Sequence, residues 1–524
     1  MDFIRKNRLI IILTAIASYL LSAWAVHVDP VVNMDAILYL SAAEEFSQGS
    51  AANAMVIYRW PFYPALISGL QILTGSSTVA AAHTLNAILT IFCVTAFLSC
   101  VHALGGSRRT MIIAALVILL FPSINKYRPF IIRDIGFLAC YLWAIYFYIK
   151  TIIQQKLLPL VMASLVMLGA ILFRLEAIAT LIIMPCYLFY LRSQTKLWRA
   201  VWFLLIVGAS VCLFAGLTVW LFGESAVDIQ HGGSYLTFFA NSVNHAAENL
   251  WFKINIIGTK VLTPLSADFA PLILIIAVLL MTAYEPLRRL TFIHAFFAWY
   301  AIKRDFVLDE PDLRKAAYAL CLIQIGLIAI FAAINMYLVS RHTLALVLTI
   351  LLASPFGIEI FYLRWRHKDP SSPRWLFPLF AAFILAIGVH KLFDLKTDKL
   401  SVIDSGQWIN ENIAADQRVY SNNALLLHYA KRKPAHFNLE YSWQEADYFM
   451  QTGSIFDFHY VIFDISKNNL DAEKYIKTKL GSEPVHRIKN GEKNHLLVYD
   501  LRKHTKKRPP VDYHKDFPNP VVIN

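Results

Sequence analysis

A polytopic α-helical membrane domain followed by a small soluble α/β domain is the fold class that the sequence predicts. Three observations carry it. The 524 residues are 57% hydrophobic and only 16% charged, with a mean hydropathy of +0.52, more apolar than a soluble protein can keep off its surface. Apolar stretches close to the roughly 20 residues that a spanning helix needs recur along the chain. The composition then changes once, near residue 391: charged residues make up about 12% of the chain before that point and about 27% from Leu392 to Asn524. A membrane domain at 1–391 and an accessory domain at 392–524 follow.

Eleven stretches predict the membrane helices, at about 9–28, 78–104, 110–122, 134–150, 158–173, 176–191, 200–221, 265–284, 317–338, 343–362 and 375–391. The first follows Arg5, Lys6 and Arg8, and its apolar run is too long for the core of a signal peptide, so it reads as a retained anchor. With the N-terminus inside, most basic residues of this domain fall in cytoplasmic loops, Arg108, Arg109, Arg192, Arg288, Arg289, Lys303, Arg304 and Arg364 among them, as the positive-inside rule requires. An odd helix count then puts the tail outside. The net charge of +13 is accounted for by those loops and implies no nucleic acid. Leu290 to Ile302 is apolar but has only 13 residues between basic flanks and reads as an interfacial helix; if it spans, the tail moves to the cytoplasm. The six cysteines all lie in apolar runs without metal-ligand spacing, so no disulfide framework or cysteine-bound metal is expected.

Three outer segments are too long for simple connections. The first, about 29–77, holds Asp35, Tyr39, Glu44 and Glu45 and then Arg59-Trp60-Pro61-Phe62-Tyr63-Pro64. The second, about 123–134, ends in Arg133-Asp134, and another at about 222–264 is rich in Gly, Asn, His and aromatic residues. Within apolar surroundings Arg174-Leu175-Glu176 also stands out, because charge there is costly and tends to mark function. Each residue has a plainer reading. Asp35 and Asp134 suit helix N-termini, Arg174 and Arg341 suit boundary anchors that snorkel, and Trp60 and Tyr63 suit an interfacial aromatic belt. In the tail, Asp404 to Ile413 reads as an amphipathic helix, and Arg418 to Tyr420, Tyr460 to Asp464 and Leu496 to Asp500 as strands.

These residues carry a resemblance. Asp35-Ala36-Ile37-Leu38-Tyr39-Leu40-Ser41-Ala42-Ala43 is similar to the Asp-x-x-x-Tyr-x-x-x-Ala opening of the first outer loop in GT-C membrane glycosyltransferases. The stretch from Arg59 to Leu66, ending at Thr74-Gly75, resembles a second stretch of that group, especially in bacterial relatives of protein O-mannosyltransferases and the lipid A aminoarabinose transferase. Arg133-Asp134, Arg174 in Phe173-Arg174-Leu175-Glu176 and Ser340-Arg341-His342 match in order and membrane face. The chain departs from many relatives in having Asp35-Ala36 for Asp-Glu and Trp60-Pro61 for Pro-Pro.

The resemblance implies inverting transfer of a sugar from a polyprenyl-phosphate carrier to an acceptor hydroxyl at the outer face of a bacterial inner membrane, with the tail in the periplasm. Asp35 is the expected general base, and Asp134 a second catalytic carboxylate for acceptor orientation or metal binding. Arg133, Arg174 and Arg341 are expected on the donor phosphate, and Tyr39, Arg59 and Tyr63 on substrate. The acceptor, whether protein, lipid or glycan, is left open, and so is a divalent metal. The chemistry needs these residue types: a hydroxyl needs a positioned base, and a departing phosphate needs cations. A lipid-linked glycan flippase would instead show repeats and a midplane site, and a polysaccharide ligase or polymerase would rest on a late outer loop rather than on the Asp35 segment.

Overall fold

The computed structural model describes residues 2–58, 60–190, 248–304, 311–368, 375–393, 400–432, 442–491 and 494–503. The predicted helix at 200–221, most of the 222–264 segment and Arg59 lie outside them. From the N-terminus the helices are α1 (Asp2–Val28), α2 (Met34–Ser47), α3 (Ala51–Ile57), α4 (Phe62–Thr74), α5 (Thr78–Ala103), α6 (Arg108–Leu120), α7 (Pro122–Tyr127), α8 (Asp134–Gln154), α9 (Leu157–Phe173) and α10 (Ala177–Tyr190). Two compact units are formed. The first comprises Met1–Trp24, Thr84–Arg128 and Ile132–Phe393, and the second Ala25–His83, Pro129–Ile131 and Asp394–Asn524.

The first unit is helical. Among the described residues five helices are long and apolar enough to cross a membrane: Asn7–Val28, Thr78–Ala103, Asp134–Gln154, Pro264–Leu290 and Pro311–Asn335. Ser340–Leu351 and Ser354–Arg366, bent by 42° at their junction, form an apolar pair of comparable length, either a broken span or a re-entrant loop. The chain is a multi-pass membrane protein, and α1 shows which solvent shaped it. Leu9, Leu13 and Leu20 are 64%, 55% and 61% exposed, whereas Thr14, Ser18 and Ser22 are buried. A soluble helix turns its apolar stripe inward; here small polar residues at i, i+4 and i+8 face protein and leucines face lipid. Arg128 fastens α1 from the other side, with Nη1 donating to the Ser18 carbonyl (2.8 Å) and the Ser22 hydroxyl (2.9 Å) while Nε donates to Asn125 Oδ1 (2.7 Å).

Contacts between sequence-distant turns sort this unit into two ends. At one, Ser123 Oγ donates to the Arg289 carbonyl (3.0 Å), Phe121 meets His294 edge-on (5.5 Å between centroids), and an ideal Cβ on Gly388 would lie 2.8 Å from Leu120. At the other, Ser107 at the N-cap of α6 donates to Glu359 (2.7 Å), Phe361 packs on Tyr300 (4.8 Å), and Arg304 and Arg364 lie over the same Tyr300 ring at 5.7 and 5.6 Å. The helix Phe292–Lys303 therefore runs from one end to the other. Its length suggested an interfacial helix; its contacts place Arg288 and Arg289 at the opposite end of the unit from Arg304. Close packing holds it in place: Gly357 approaches so near that a Cβ there would meet the Phe297 carbonyl at 2.0 Å.

The second unit joins α2, α3 and α4 to the α/β tail. The outer segment read as a loop is mostly helical, with Gly75 (φ +65°) closing α4 as its C-cap, its N–H bonded to the Gln71 carbonyl at 2.8 Å, as left-handed glycine caps do. The tail sheet has the order β1-β2-β4-β3, from β1 (Val419–Ser421), β2 (Tyr460–Ser466), β3 (His486–Asn490) and β4 (Asn494–Asp500). β1 and β2 are parallel, and β4 is antiparallel to both β2 and β3. Alternation splits the core in two. Val461, Phe463, Ile465, Leu497 and Tyr499 pack with Ala446, Phe449 and Ile476, whereas Ile462, Leu496 and Val498 pack on the opposite face with Ile409, Leu426 and Leu427. The result is a three-layer α/β/α arrangement.

Candidate functional site

In the first unit, three turns bring charge together. Asp134 opens α8, and α9 returns beside it to end at Arg174, whose backbone is extended (φ −149°, ψ 127°). The approach depends on Gly136, where a Cβ would lie 2.3 Å from the Phe173 ring. Arg174 Nη1 then donates to Asp134 Oδ1. Its other edge forks onto Glu176, Nη2 to Oε1 at 2.6 Å and Nε to Oε2 at 3.3 Å, and Nη2 also lies 3.2 Å from His342 Nδ1. The Phe137 ring sits 5.6 Å from the guanidinium carbon, and His342 lies on Phe331 at 3.9 Å. Asp134 and Arg174 are 4% and 7% exposed, so this is a buried, multiply bonded ion pair rather than a snorkelling anchor. Asp134 does not cap its helix either; the N-cap position is Arg133, which makes no capping bond through its side chain.

The third turn, Ser340–Thr343, carries Arg341 and His342. Its buried Ser340 hydroxyl bonds the Tyr127 hydroxyl and accepts from Lys126 Nζ (3.3 Å). Arg133, Arg341 and His342 all act electrostatically on Asp134, and Arg289 and Arg341 act on Tyr127. The three predicted arginines and Asp134 are thus brought into one cluster with Lys126, Tyr127, Arg289, Glu176 and His342. Of these additions the sequence had singled out Glu176, and His342 as part of Ser340-Arg341-His342, whereas Arg289 was expected in a cytoplasmic loop. Arg289 is held by Glu285, Nη2 to Oε1 at 2.6 Å.

Asp35, Tyr39 and Tyr63 belong to the second unit. Asp35 lies half-buried in the first turn of α2, one residue beyond Met34, with Asn33 at the N-cap. Tyr39, one turn later, is 5% exposed and Tyr63 is fully buried; they meet edge-on at 5.1 Å, with Tyr58 on Tyr39 at 4.9 Å. Both predicted substrate-binding tyrosines therefore form the core beneath Asp35. Glu45 accepts from Asn53 Nδ2 (3.3 Å) and Glu44 is exposed, as a solvated face would be. No group of three or more His, Cys, Asp or Glu able to hold a metal ion occurs among the described residues.

No protein-family model matches the chain, and no curated protein sequence matches it. Among solved structures it is similar to ArnT from Cupriavidus metallidurans in the apo state, with 12% identity and a TM-score of 0.52 over 97% of this chain and 100% of that one. It is also similar to the apo oligosaccharyltransferase of Archaeoglobus fulgidus, with 12% identity and a TM-score of 0.50 over 87% of this chain and 69% of that one. The chain therefore shares the fold of these two membrane proteins.

Proposed function

We propose that this chain is an integral-membrane glycosyltransferase that moves a sugar from a polyprenyl-phosphate carrier to an acceptor hydroxyl, at the outer face of a bacterial inner membrane. The observation that carries the reading is the cluster of Arg133, Arg174 and Arg341 around the buried Asp134 carboxylate, with Lys126 on the neighbouring Ser340, at one end of a GT-C-fold membrane unit. Buried charge in such a unit is costly and is kept where it acts. A lipid phosphate, which gains charge as the sugar departs, needs cationic and hydrogen-bonding partners of this kind. Arg174 meets the phosphate by exchanging Glu176, whose side chain is 40% exposed, for phosphate oxygens that fit the same guanidinium fork.

In the reaction the acceptor oxygen attacks the anomeric carbon, the bond from that carbon to the phosphate oxygen breaks, and the polyprenyl phosphate leaves. The acceptor proton passes to Asp35. One displacement inverts the anomeric centre and needs no covalent sugar intermediate. Asp134 acts here through Arg174, whose guanidinium it holds.

The test is transfer by the purified full chain in lipid, with a panel of polyprenyl-phosphate monosaccharides and with protein, glycan and glycolipid acceptors, followed as acceptor-dependent release of polyprenyl phosphate. Asp35→Asn keeps the size of the side chain and removes its basicity. It should lower turnover by roughly 10²–10⁴-fold with donor binding intact. Absence of transfer across the panel rejects the activity. Retention of anomeric configuration rejects the single displacement, and normal turnover by Asp35→Asn rejects the base.

A further inference from the structure

We propose that the soluble tail is a brace that sets the helix bearing Asp35 through Tyr429, with Asn33, tied to Ile131, as a second positioning residue at the same helix start; the proposal rests on the assignment of Asp35 as the base. Three residues upstream of Asp35 the chain is held from the tail. The Val32 N–H donates to Tyr429 Oη (2.9 Å), and the Tyr429 hydroxyl lies 3.5 Å from the Pro30 carbonyl. Next to it, Asn33 bonds Ile131 twice, accepting from the Ile131 N–H through Oδ1 (2.8 Å) and donating through Nδ2 to the Ile131 carbonyl (3.2 Å).

The use of Asn33 is informative. Asparagine is among the preferred N-cap residues, and a side-chain cap is worth about 1 kcal/mol. Asn33 occupies the N-cap position of α2 in the extended conformation (φ −78°, ψ 160°), yet it makes no capping bond through its side chain. Both of its polar atoms go to Ile131 instead. Local helix stability has been forgone to fix where α2 begins, and Asp35 stands in that first turn.

Tyr429 is equally well anchored at its own end. It closes the short helix Ala424–Tyr429, whose N-cap Asn423 accepts from the Leu425 and Leu426 N–H groups and donates to Asp464 Oδ2 (2.8 Å) in β2. Gly406 allows the helix Leu400–Asn412 to press against it, since a Cβ there would lie 2.5 Å from Tyr429 Cβ. α2 itself packs on Ala424–Tyr429. A continuous path therefore runs from the sheet through Asn423 and Tyr429 to Val32. An acceptor-binding module would have no need of it.

The test uses the full chain in lipid. Tyr429→Phe removes one hydroxyl, and Asn33→Ala removes two bonds. Each should speed hydrogen exchange at Val32 and in the first turn of α2 by up to about tenfold, the worth of a hydrogen bond, without shifting the melting temperature appreciably. With whichever polyprenyl-phosphate sugar of the panel turns over, kcat should fall about tenfold while KM for that donor stays unchanged. Asn33→Asp, which keeps the acceptor for the Ile131 N–H, should recover part of the loss. Tyr429→Phe should add nothing to Asp35→Asn, because the brace acts through that carboxylate. Unchanged exchange in both variants overturns the brace, and so does altered exchange with normal kcat. Normal turnover by Asp35→Asn sinks the base assignment and this link with it, whereas normal turnover by Tyr429→Phe beside an impaired Asp35→Asn sinks the brace alone.

Discussion

Arg174 holds Glu176 with two parallel N–H groups and Asp134 with a third, and the two carboxylates play different parts. Asp134 is buried with the guanidinium, whereas Glu176 sits at the exposed edge. Glu176→Gln should therefore weaken the fork and leave it more open to an incoming anion. Undecaprenyl phosphate should bind this variant several-fold more tightly, a change that titration of the purified chain would detect, and weaker binding would reject the exchange. Asp134→Asn should instead destabilise the fold by roughly 3–5 kcal/mol, the cost of breaking a buried pair. Gly136→Ala reaches the same pair indirectly by pushing Phe173 aside, at about 1–3 kcal/mol for overpacking. Phe173→Leu should restore the melting temperature of that variant; no rescue would mean that the strain lies elsewhere. Asp134 and Arg174 were visible in the sequence because charge in an apolar stretch has few innocent explanations. Their partnership was not, since they are 40 residues apart and His342 is a further 168 from Arg174. Asn33 was invisible for the opposite reason: an asparagine just before a helix already has an ordinary explanation.

Among the elements, Asp464 of β2 ties the tail sheet together. Its carboxylate accepts from Asn423, Asn490 and Asn494 at 2.8, 2.9 and 3.0 Å, and its N–H donates to Asn422 Oδ1 at 2.7 Å, so the loop after β1 and the β3–β4 hairpin both close on it. Asp464→Ala strands three amide donors and should cost about 2–4 kcal/mol, seen as an earlier unfolding transition of the tail in the full chain; an unmoved transition would show that water replaces the carboxylate freely. Glu445, on the helix Ser442–Thr452, sets a pH dependence. Burial raises its carboxyl from 4.5 to about 7, so the folded tail binds that proton more tightly than the unfolded chain does. Its stability contribution is complete below about 4.5 and is lost as pH rises through 7. Glu445→Gln should flatten the loss of tail stability between pH 5 and 7, and an unchanged slope would remove Glu445 as its source. β2 and β4 were legible as short continuous apolar runs, but β3, His486-Arg487-Ile488-Lys489-Asn490, is an edge strand with one apolar residue and gave no such signal. The 12 residues of the helix Phe292–Lys303 span about 18 Å at 1.5 Å each, short of a hydrocarbon core of roughly 30 Å, which is why its contacts with both ends of the unit were not legible. α6, with 13 residues, is nearly as short and runs between the same two ends.

For the membrane unit as a whole, the two ends make the topology testable without counting helices. The cluster of Asp134, Arg174, Ser340 and Arg341 lies at the end that also holds Ser123 and Arg289. The chain reaches Phe393 at that end too, because Gly388 packs on Leu120, Trp24 Nε1 donates to the Leu392 carbonyl (3.0 Å) and Trp24 meets Phe393 edge-on (5.6 Å). Arg108, Arg304 and Arg364 gather at the other, with Ser107, Glu359 and Tyr300 between them. The positive-inside rule weighs basic residues near helix ends, and on that ground we propose that the second end faces the cytoplasm and the first the outside. On that proposal Arg288 and Arg289 are outer residues, where the sequence reading put them inside, and their charge is partly offset by Glu285. In a background without the native cysteines, Arg288→Cys and Gln451→Cys in the tail should both react with a membrane-impermeant maleimide added to intact spheroplasts. His367→Cys, three residues beyond Arg364, should react only after lysis. Protection of Arg288→Cys beside a reactive tail would return Phe292–Lys303 to the interface, whereas protection of the tail would place it in the cytoplasm and remove it from any reaction at the outer face.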